Sequence, residues 1–360
     1  MKFTRLNELP MPTWHWLNMN AAELETDAAL STPYRGGALS VDEAKIKIEH
    51  RAELKTIEHL PKDMDSLREF VYKNQNYALT VTIPAGLKCD GPVMLDFVLD
   101  EASPVLLDFL HVKAEAGSRA DVVVRYRSLG GGSYFHGGFA FLEAEPKSKV
   151  RLIKIQTLGE RDAHLDATAV SVGAGGEGNV LLNELGGAQA VSGCNISLAG
   201  KESRGELDSL YLGSGARKQD FNYRMEFRGK ASEGKIAVRG ALSGAARKAL
   251  KVTLDFVRGA SGAKGREEET VLTLSDRAVN LSTPLLLCGE ADVEGAHATS
   301  SGRPDPNKLY YLMSRGLTER DAKRLLVEAS FTPILNKLPA QELRGAVYER
   351  IREVVHHDGL

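Results

Sequence analysis

From about residue 78 the chain falls into a two-residue alternation of apolar and polar positions. Leu79, Val81 and Ile83 alternate with Ala and Thr, and Pro84-Ala-Gly ends the run. A period of two places every second side chain on one face of a strand. The pattern recurs at 93–99, 105–113, 119–127, 139–145, 149–156, 167–172, 180–185, 194–199, 206–212, 222–228, 235–242, 250–257, 269–274 and 283–289. Gly, Ser or Asp separates these short runs, at a spacing of roughly 10–16 residues, and no interior helix interrupts them. A sandwich with this many strands would be unusually large. A propeller would show a blade repeat near 40–50 residues, and none is found. The predicted fold is therefore an all-β core, a solenoid of irregular coils, with small helical regions at both ends.

The flanks read differently. The first 35 or so residues are polar and irregular, with one aromatic cluster at Trp14, His15 and Trp16. Ile46 and Ile48 alternate with Lys and Glu and suit a strand. A helix-start signal at Ser66 and Glu69 then predicts a short helix with Leu67, Phe70 and Val71 on one face. Beyond residue 305 the period becomes helical. Thr318 and Asp321 start a helix carrying Ala322, Leu325, Leu326 and Ala329, which Pro333 is expected to interrupt. Pro339 opens another, with Leu343, Val347, Ile351 and Val354 in one stripe. The predicted regions are 1–77 (helical and mixed), 78–300 (β core) and 301–360 (helical). Amphipathic helices attached to a β domain usually pack on it; the functional alternative is docking a partner.

Composition narrows the function. There are 46 Lys and Arg against 48 Asp and Glu, so no basic excess exists to neutralise a phosphate backbone, and no nucleic-acid partner is expected. No run approaches the ~18 apolar residues of a membrane span, and MKFTRLNELP has no apolar signal core. A cytoplasmic chain with no membrane partner is expected. Three scattered cysteines, Cys89, Cys194 and Cys288, argue against disulfides and structural zinc. The chain has 35 glycines and is only 6% aromatic, which suits many turns and a narrow interior.

Familiar catalytic signatures are missing. Gly173-Ala-Gly175-Gly-Glu-Gly178 fits GxGxxG, but strand-like Asn179-Val-Leu-Leu follows where a helix is needed, so it reads as a turn. Gly213-Ser-Gly-Ala-Arg-Lys is not a P-loop, and neither HExxH nor GxSxG occurs. His136 is expected in a turn, and His356 and His357 in solvent. The carboxylates Asp63/Asp65 and Glu267/Glu268/Glu269 read as solvated faces. Cys288 and His297 lie nine residues apart and could reach one metal or cluster across a turn, although two ligands are too few for a tight site in one chain. On chemistry alone Cys288 fits a buried core thiol better.

From this segment onward the chain resembles the SufB/SufD family, the scaffold subunits of the SUF iron–sulfur cluster assembly system. The resemblance rests on Ala291-Asp-Val-Glu-Gly-Ala-His297-Ala-Thr and on Leu309-Tyr310-Tyr311-Leu312-Met-Ser-Arg315-Gly316-Leu317-Thr-Glu-Arg-Asp-Ala-Lys-Arg-Leu325-Leu326-Val-Glu. Leu67-Arg-Glu-Phe, Val81-Thr-Ile-Pro84-Ala-Gly86, Arg239-Gly-Ala-Leu-Ser-Gly244 and Met11-Pro-Thr-Trp-His-Trp16 also resemble family segments, the last of them SufD-like. The resemblance implies a right-handed parallel β-helix and a non-catalytic scaffold. It implies pairing with a SufB-type subunit, or a second copy, and docking of the SufC ATPase on the C-terminal helices, through Tyr310, Tyr311, Leu312, Arg315, Gly316, Leu317, Leu325 and Leu326. It also implies a transient iron–sulfur cluster at the paired interface, with His297 as a ligand. The chain departs from the family where SufD commonly has a cysteine (here Gly295), in a histidine-rich stretch (here Phe221-Asn-Tyr-Arg-Met-Glu-Phe227) and at another cysteine (here Ser232). Cys288 inherits no role from it. A stand-alone homodimeric cluster scaffold and a β-helix carbohydrate-active enzyme are the alternative readings.

Overall fold

A computed structural model describes residues 1–11, 17–30, 33–41 and 45–357, with side chains to 354. Trp14, His15, Trp16 and the side chains of His356 and His357 lie outside the described residues. Strands β1 (Lys2–Leu6) and β2 (Ala22–Glu25) form an antiparallel pair, and β3 (Gly37–Ser40), β4 (Lys47–Glu49) and helix α1 (Lys62–Asn74) follow. The core comprises β5 (Tyr77–Ile83), β6 (Val93–Leu99), β7 (Val105–Ala114), β8 (Arg119–Ser128), β9 (Phe135–Ala144), β10 (Lys149–Thr157), β11 (Ala163–Val172) and β12 (Glu177–Glu184). It continues with β13 (Gln189–Leu198), β14 (Arg204–Gly213), β15 (Lys218–Phe227), β16 (Glu233–Leu242), β17 (Arg247–Phe256), β18 (Ala263–Thr273), β19 (Val279–Cys288) and β20 (Val293–Gly302). Helices α2 (Pro306–Ser314), α3 (Glu319–Leu335) and α4 (Gln341–His357) close the chain.

From β7 to β18 each strand pairs in parallel with the strands two places before and after it, so the chain alternates between two sheets. Even-numbered strands β6 to β20 form one sheet with β3 at its edge; odd-numbered β5 to β19 form the other with β4 at its edge. This is the expected parallel solenoid. Register partners on successive coils lie between 26 residues apart (Ala163 and Gln189) and 32 apart (Arg247 and Val279), which explains why no fixed repeat was visible.

Three apolar layers hold it together. Between the sheets lie side chains such as Leu79, Val122, Leu152, Ile196, Leu207 and Leu254. On the outer face of the even sheet, Val123, Ile153, Leu181 and Leu210 pack under Phe331, Ile334, Val347 and Ile351 of α3 and α4. On the outer face of the odd sheet, Leu107, Phe139 and Val191 pack under Leu6, Leu24, Met64 and Val71. The periodicity that marked α3 and α4 as amphipathic is thus satisfied by the solenoid itself. Pro333 does not end α3, which runs to Leu335. Only the last turn lies beyond the proline, so little backbone pairing is lost, and Phe331, Ile334 and Leu335 bury it. Helix α1 starts at Lys62, ahead of the expected Ser66, whose hydroxyl donates to the Lys62 carbonyl at 2.9 Å from inside the helix.

Glycine does more than mark turns. Gly178, Gly205, Gly234, Gly265 and Gly295 are successive register partners in the even sheet. A Cβ on Gly234 would lie 2.0 Å from Met225 Sδ, and one on Gly265 2.7 Å from the Phe227 ring. The ladder lets one corner of the coil thin until aromatic rings cross it. Those rings stack along the axis, Phe227 on Phe256 at 4.4 Å. In the GxGxxG segment Gly175 has φ 62°, and β12 follows rather than a helix, as expected of a turn.

Part of the interior is polar. His136 lies fully buried in β9 and not in a turn. Its Nε2 is 2.5 Å from Asp108 Oδ1, and its Nδ1 is 2.7 Å from Nδ1 of His164 on the next coil. The Tyr126 hydroxyl donates to the other Asp108 oxygen at 3.0 Å, and Glu184 Oε2 lies 3.5 Å from His164 Nε2. Burial, with His136 and Lys154 nearby, pushes His164 well below the ordinary histidine range. Burial and neighbouring Asp166 push Glu184 up to about 8. Neutral His164 beside a protonated Glu184 is the consistent pairing. Lys154 donates to both oxygens of Asp166 at 2.8 Å, giving each buried charge a partner.

Candidate functional site

The two ends of the solenoid are unlike. The first coil is covered by β3, antiparallel to β6, and β4, antiparallel to β5. At the other end β20 and β19 are the last strands of their sheets, and among the described residues nothing pairs with their outer edges. A ten-residue parallel strand with one unpaired edge is a template for another strand. Here two such edges lie side by side. β20 is exposed almost throughout and was not recognised from sequence. Its residues Val-Glu-Gly-Ala-His-Ala-Thr-Ser-Ser-Gly lack the apolar alternation because no coil covers them.

His297 sits on β20 as the register partner of Glu267 on β18. In β18 the buried positions are Ala263, Gly265, Glu267, Glu269 and Val271, so their partners Val293, Gly295, His297, Thr299 and Ser301 face the same inner side. His297 is therefore an exposed residue at the solenoid's mouth. Cys288 ends β19 as the register partner of Phe256 and is also exposed, not the buried thiol that chemistry favoured. Among the described residues no following coil closes over it. The buried thiol is Cys194, which burial pushes far above the ordinary range. Gly295, where the family pattern has a cysteine, ends the glycine ladder: a Cβ there would meet Leu286 Cδ1 at 2.8 Å and the Phe256 ring at 3.0 Å.

Beneath the mouth lies a charged cluster that the sequence reading placed on a solvated face. Glu267 and Glu269 are each only 2% exposed; Glu268, between them, points outward and pairs with Lys235 and Arg266. Lys248 Nζ donates to Glu269 Oε1 at 2.6 Å and to Ser282 Oγ at 2.9 Å. Burial, reinforced by Glu269 and opposed by Lys248, pushes Glu267 up to about 7. The available signal was the alternation Glu-x-Glu-x-Val in a strand, which puts both carboxylates on one face. Among the described residues no group of three or more His, Cys, Asp or Glu side chains could hold a metal ion.

The second exposed feature is α2. Asp305 caps it by accepting from the Asn307 N–H at 2.9 Å, and Pro306 opens it. Gly316, at φ 94°, turns the chain, and Thr318 caps α3 by accepting from the Asp321 N–H at 3.1 Å, as expected. No residue of α2 is buried. Tyr310 is 76% exposed and Tyr311 57%; Arg315 lies over the Tyr311 ring at 5.2 Å. Leu325 on α3 is exposed, Gly316 is exposed, and Leu312, Leu317 and Leu326 are half-buried. Met313, not singled out from sequence, joins the exposed group. Tyr310, Tyr311, Met313 and Leu325 are thus four large apolar side chains left exposed on α2 and the start of α3.

Fold and site together define a parallel β-solenoid with one covered end, one open end and a bare aromatic helix beside it. Residues 97–330 match the SUF system FeS cluster assembly, SufBD core domain. The chain belongs to the SufBD family and is SufD-like within it. It is 34% identical over 165 residues to the iron-sulfur cluster assembly protein SufD of Bacillus subtilis (strain 168), covering 46% of this chain and 38% of that protein. It is 25% identical over 302 residues to the iron-sulfur cluster assembly SufBD family protein Rv1462 of Mycobacterium tuberculosis, covering 82% and 74%. The match thus spans well under half of the B. subtilis relative. The family it belongs to is described as one of iron–sulfur cluster assembly. No helix among the described residues is long and apolar enough to cross a membrane.

Proposed function

We propose that this chain is a non-catalytic scaffold subunit of a SUF-type assembly complex. Its open terminal coil pairs with a SufB-type subunit, and α2 with the start of α3 docks a SufC-type ATPase, which supplies the ATP hydrolysis. The observation that carries this reading is the open end: two adjacent uncovered strand edges with His297 and Cys288 on them. A cluster is cargo here and not a resident group. This chain contributes His297, a borderline ligand suited to iron, with Cys288 as the second candidate, and the remaining ligands come from the partner across the interface. The docking residues are Tyr310, Tyr311, Leu312, Arg315, Gly316, Leu317, Leu325 and Leu326.

Co-expression with a SufB-type subunit and a SufC-type ATPase tests the reading. A three-component complex is expected on size exclusion. Tyr310→Ala with Tyr311→Ala should remove the ATPase from it while leaving the unfolding midpoint unchanged, because both rings are exposed. Retention of the ATPase by this variant refutes the docking surface. A stable homodimer that ignores the SufB-type subunit refutes the pairing and favours a self-paired scaffold.

A further inference from the structure

We propose that the cavity between the N-terminal arm and the outer face of the odd sheet binds a small, net-neutral molecule. Its ligand carries a carbonyl or carboxylate oxygen beside an N–H group, the chemistry shared by free amino acids and primary amides. The cavity measures about 260 Å³ and lies under Asn7 to Pro10 and the first turn of α1. That is below the roughly 300–1,000 Å³ of drug-sized pockets.

Its floor is one cross-strand row. Asn195 on β13 partners Arg224 on β15, which partners Thr253 on β17. With strands ~4.8 Å apart, the row spans about 10 Å. Three buried atoms on it have no hydrogen-bond partner among the described residues: Asn195 Oδ1, Arg224 Nε and Thr253 Oγ1. Asn195 is 2% exposed and Thr253 1%. Buried polar groups are normally paired, and three orphans on one row lining one cavity call for an occupant.

The neighbouring groups define its charge. Arg224 Nη2 already donates to Asp255 Oδ2 at 2.6 Å and pairs with Glu226 Oε1 at 2.7 Å. An anion would face those carboxylates and Asp63; a cation would face Arg224 and Lys62. A net-neutral ligand avoids both penalties. Arg224 Nε–H and the Thr253 hydroxyl offer donors on adjacent strands, and the Asn195 carbonyl offers an acceptor on the other side of Arg224. An oxygen that accepts from both donors, beside an N–H turned toward Asn195 Oδ1, satisfies all three. The roof is fastened: Asn222 Nδ2 donates to the Glu8 carbonyl at 3.0 Å, Asp63 Oδ2 accepts the Glu8 N–H at 2.8 Å, and Lys251 Nζ donates to the Asn7 carbonyl at 3.0 Å.

The full chain is titrated with L-alanine and, separately, with acetamide, read by calorimetry and ligand-observed NMR. Saturable binding of at least one probe is expected. Alanine alone assigns the site to amino acids, acetamide alone to amides, and both to the shared group. Thr253→Val keeps the volume but removes a donor, and should weaken binding about tenfold without lowering the unfolding midpoint. Asn195→Ala is the second variant, with the same expected loss. Absence of saturable binding to the wild-type chain, meaning a cavity filled by ordered water only, overturns the proposal. So does equal binding by wild type and both variants.

Discussion

Glu184→Gln should stabilise this protein, by an amount that depends on pH. Glu184 is buried inside the solenoid with its Oε2 3.5 Å from His164 Nε2, and burial with neighbouring Asp166 raises it from the ordinary 4.5 to about 8. A carboxyl raised in the folded state carries no penalty below its unfolded value. Above that value the unfolded chain ionises while the folded one holds its proton, so folding loses stability until pH passes the folded value. At about 1.4 kcal/mol per pH unit, the span from 4.5 to 7 is worth about 3 kcal/mol, and the span to 8 about 5 kcal/mol. Gln does not titrate, matches Glu in shape and can donate an N–H to His164 Nε2. The variant should therefore match wild type near pH 4.5, exceed it by about 3 kcal/mol at pH 7 and level off above pH 8. Urea denaturation followed by circular dichroism at several pH values measures this. A pH-independent difference, or a variant less stable than wild type at pH 8.5, would refute the neutral pairing of His164 and Glu184.

Phe331→Ala should destabilise by about 3–5 kcal/mol, since its fully buried ring anchors α3 on the even sheet; a loss below about 1 kcal/mol would mean that the helices rest on the solenoid without fixing it. Cys288 should react with a thiol reagent in the native chain and Cys194 only on unfolding; in the proposed complex Cys288 should become protected, and unchanged reactivity there would place the interface elsewhere.

Much of this was legible in the chain. The period-two runs, the Thr318 cap and the stripes of α3 and α4 are local patterns, and each reports which side of an element will be buried. The misreadings share one cause. His136, Glu267 and Glu269 were assigned to turns or solvent because a polar residue in a single strand carries no mark of what lies on the coil above and below. Cys288 was assigned to the core for the converse reason: its strand looks like the others, and only the absence of a further described coil exposes it. β20 escaped notice because an uncovered strand has no need of apolar alternation.

The sequence alone determined most of the core strands, the stacked-strand architecture and the helical ends, because periodicity and capping act within a few residues. It also carried the family resemblance, with His297 and the 309–326 stretch. Only the tertiary structure decided that α3 and α4 spend their apolar stripes on the even sheet while α2 stays bare. The same holds for the five-glycine ladder, the buried histidine and carboxylate pairs, and the contrast between a covered and an open end. Each depends on which residues lie one coil apart, 26 to 32 positions along a chain without a fixed repeat, and that register emerges only when the coils stack.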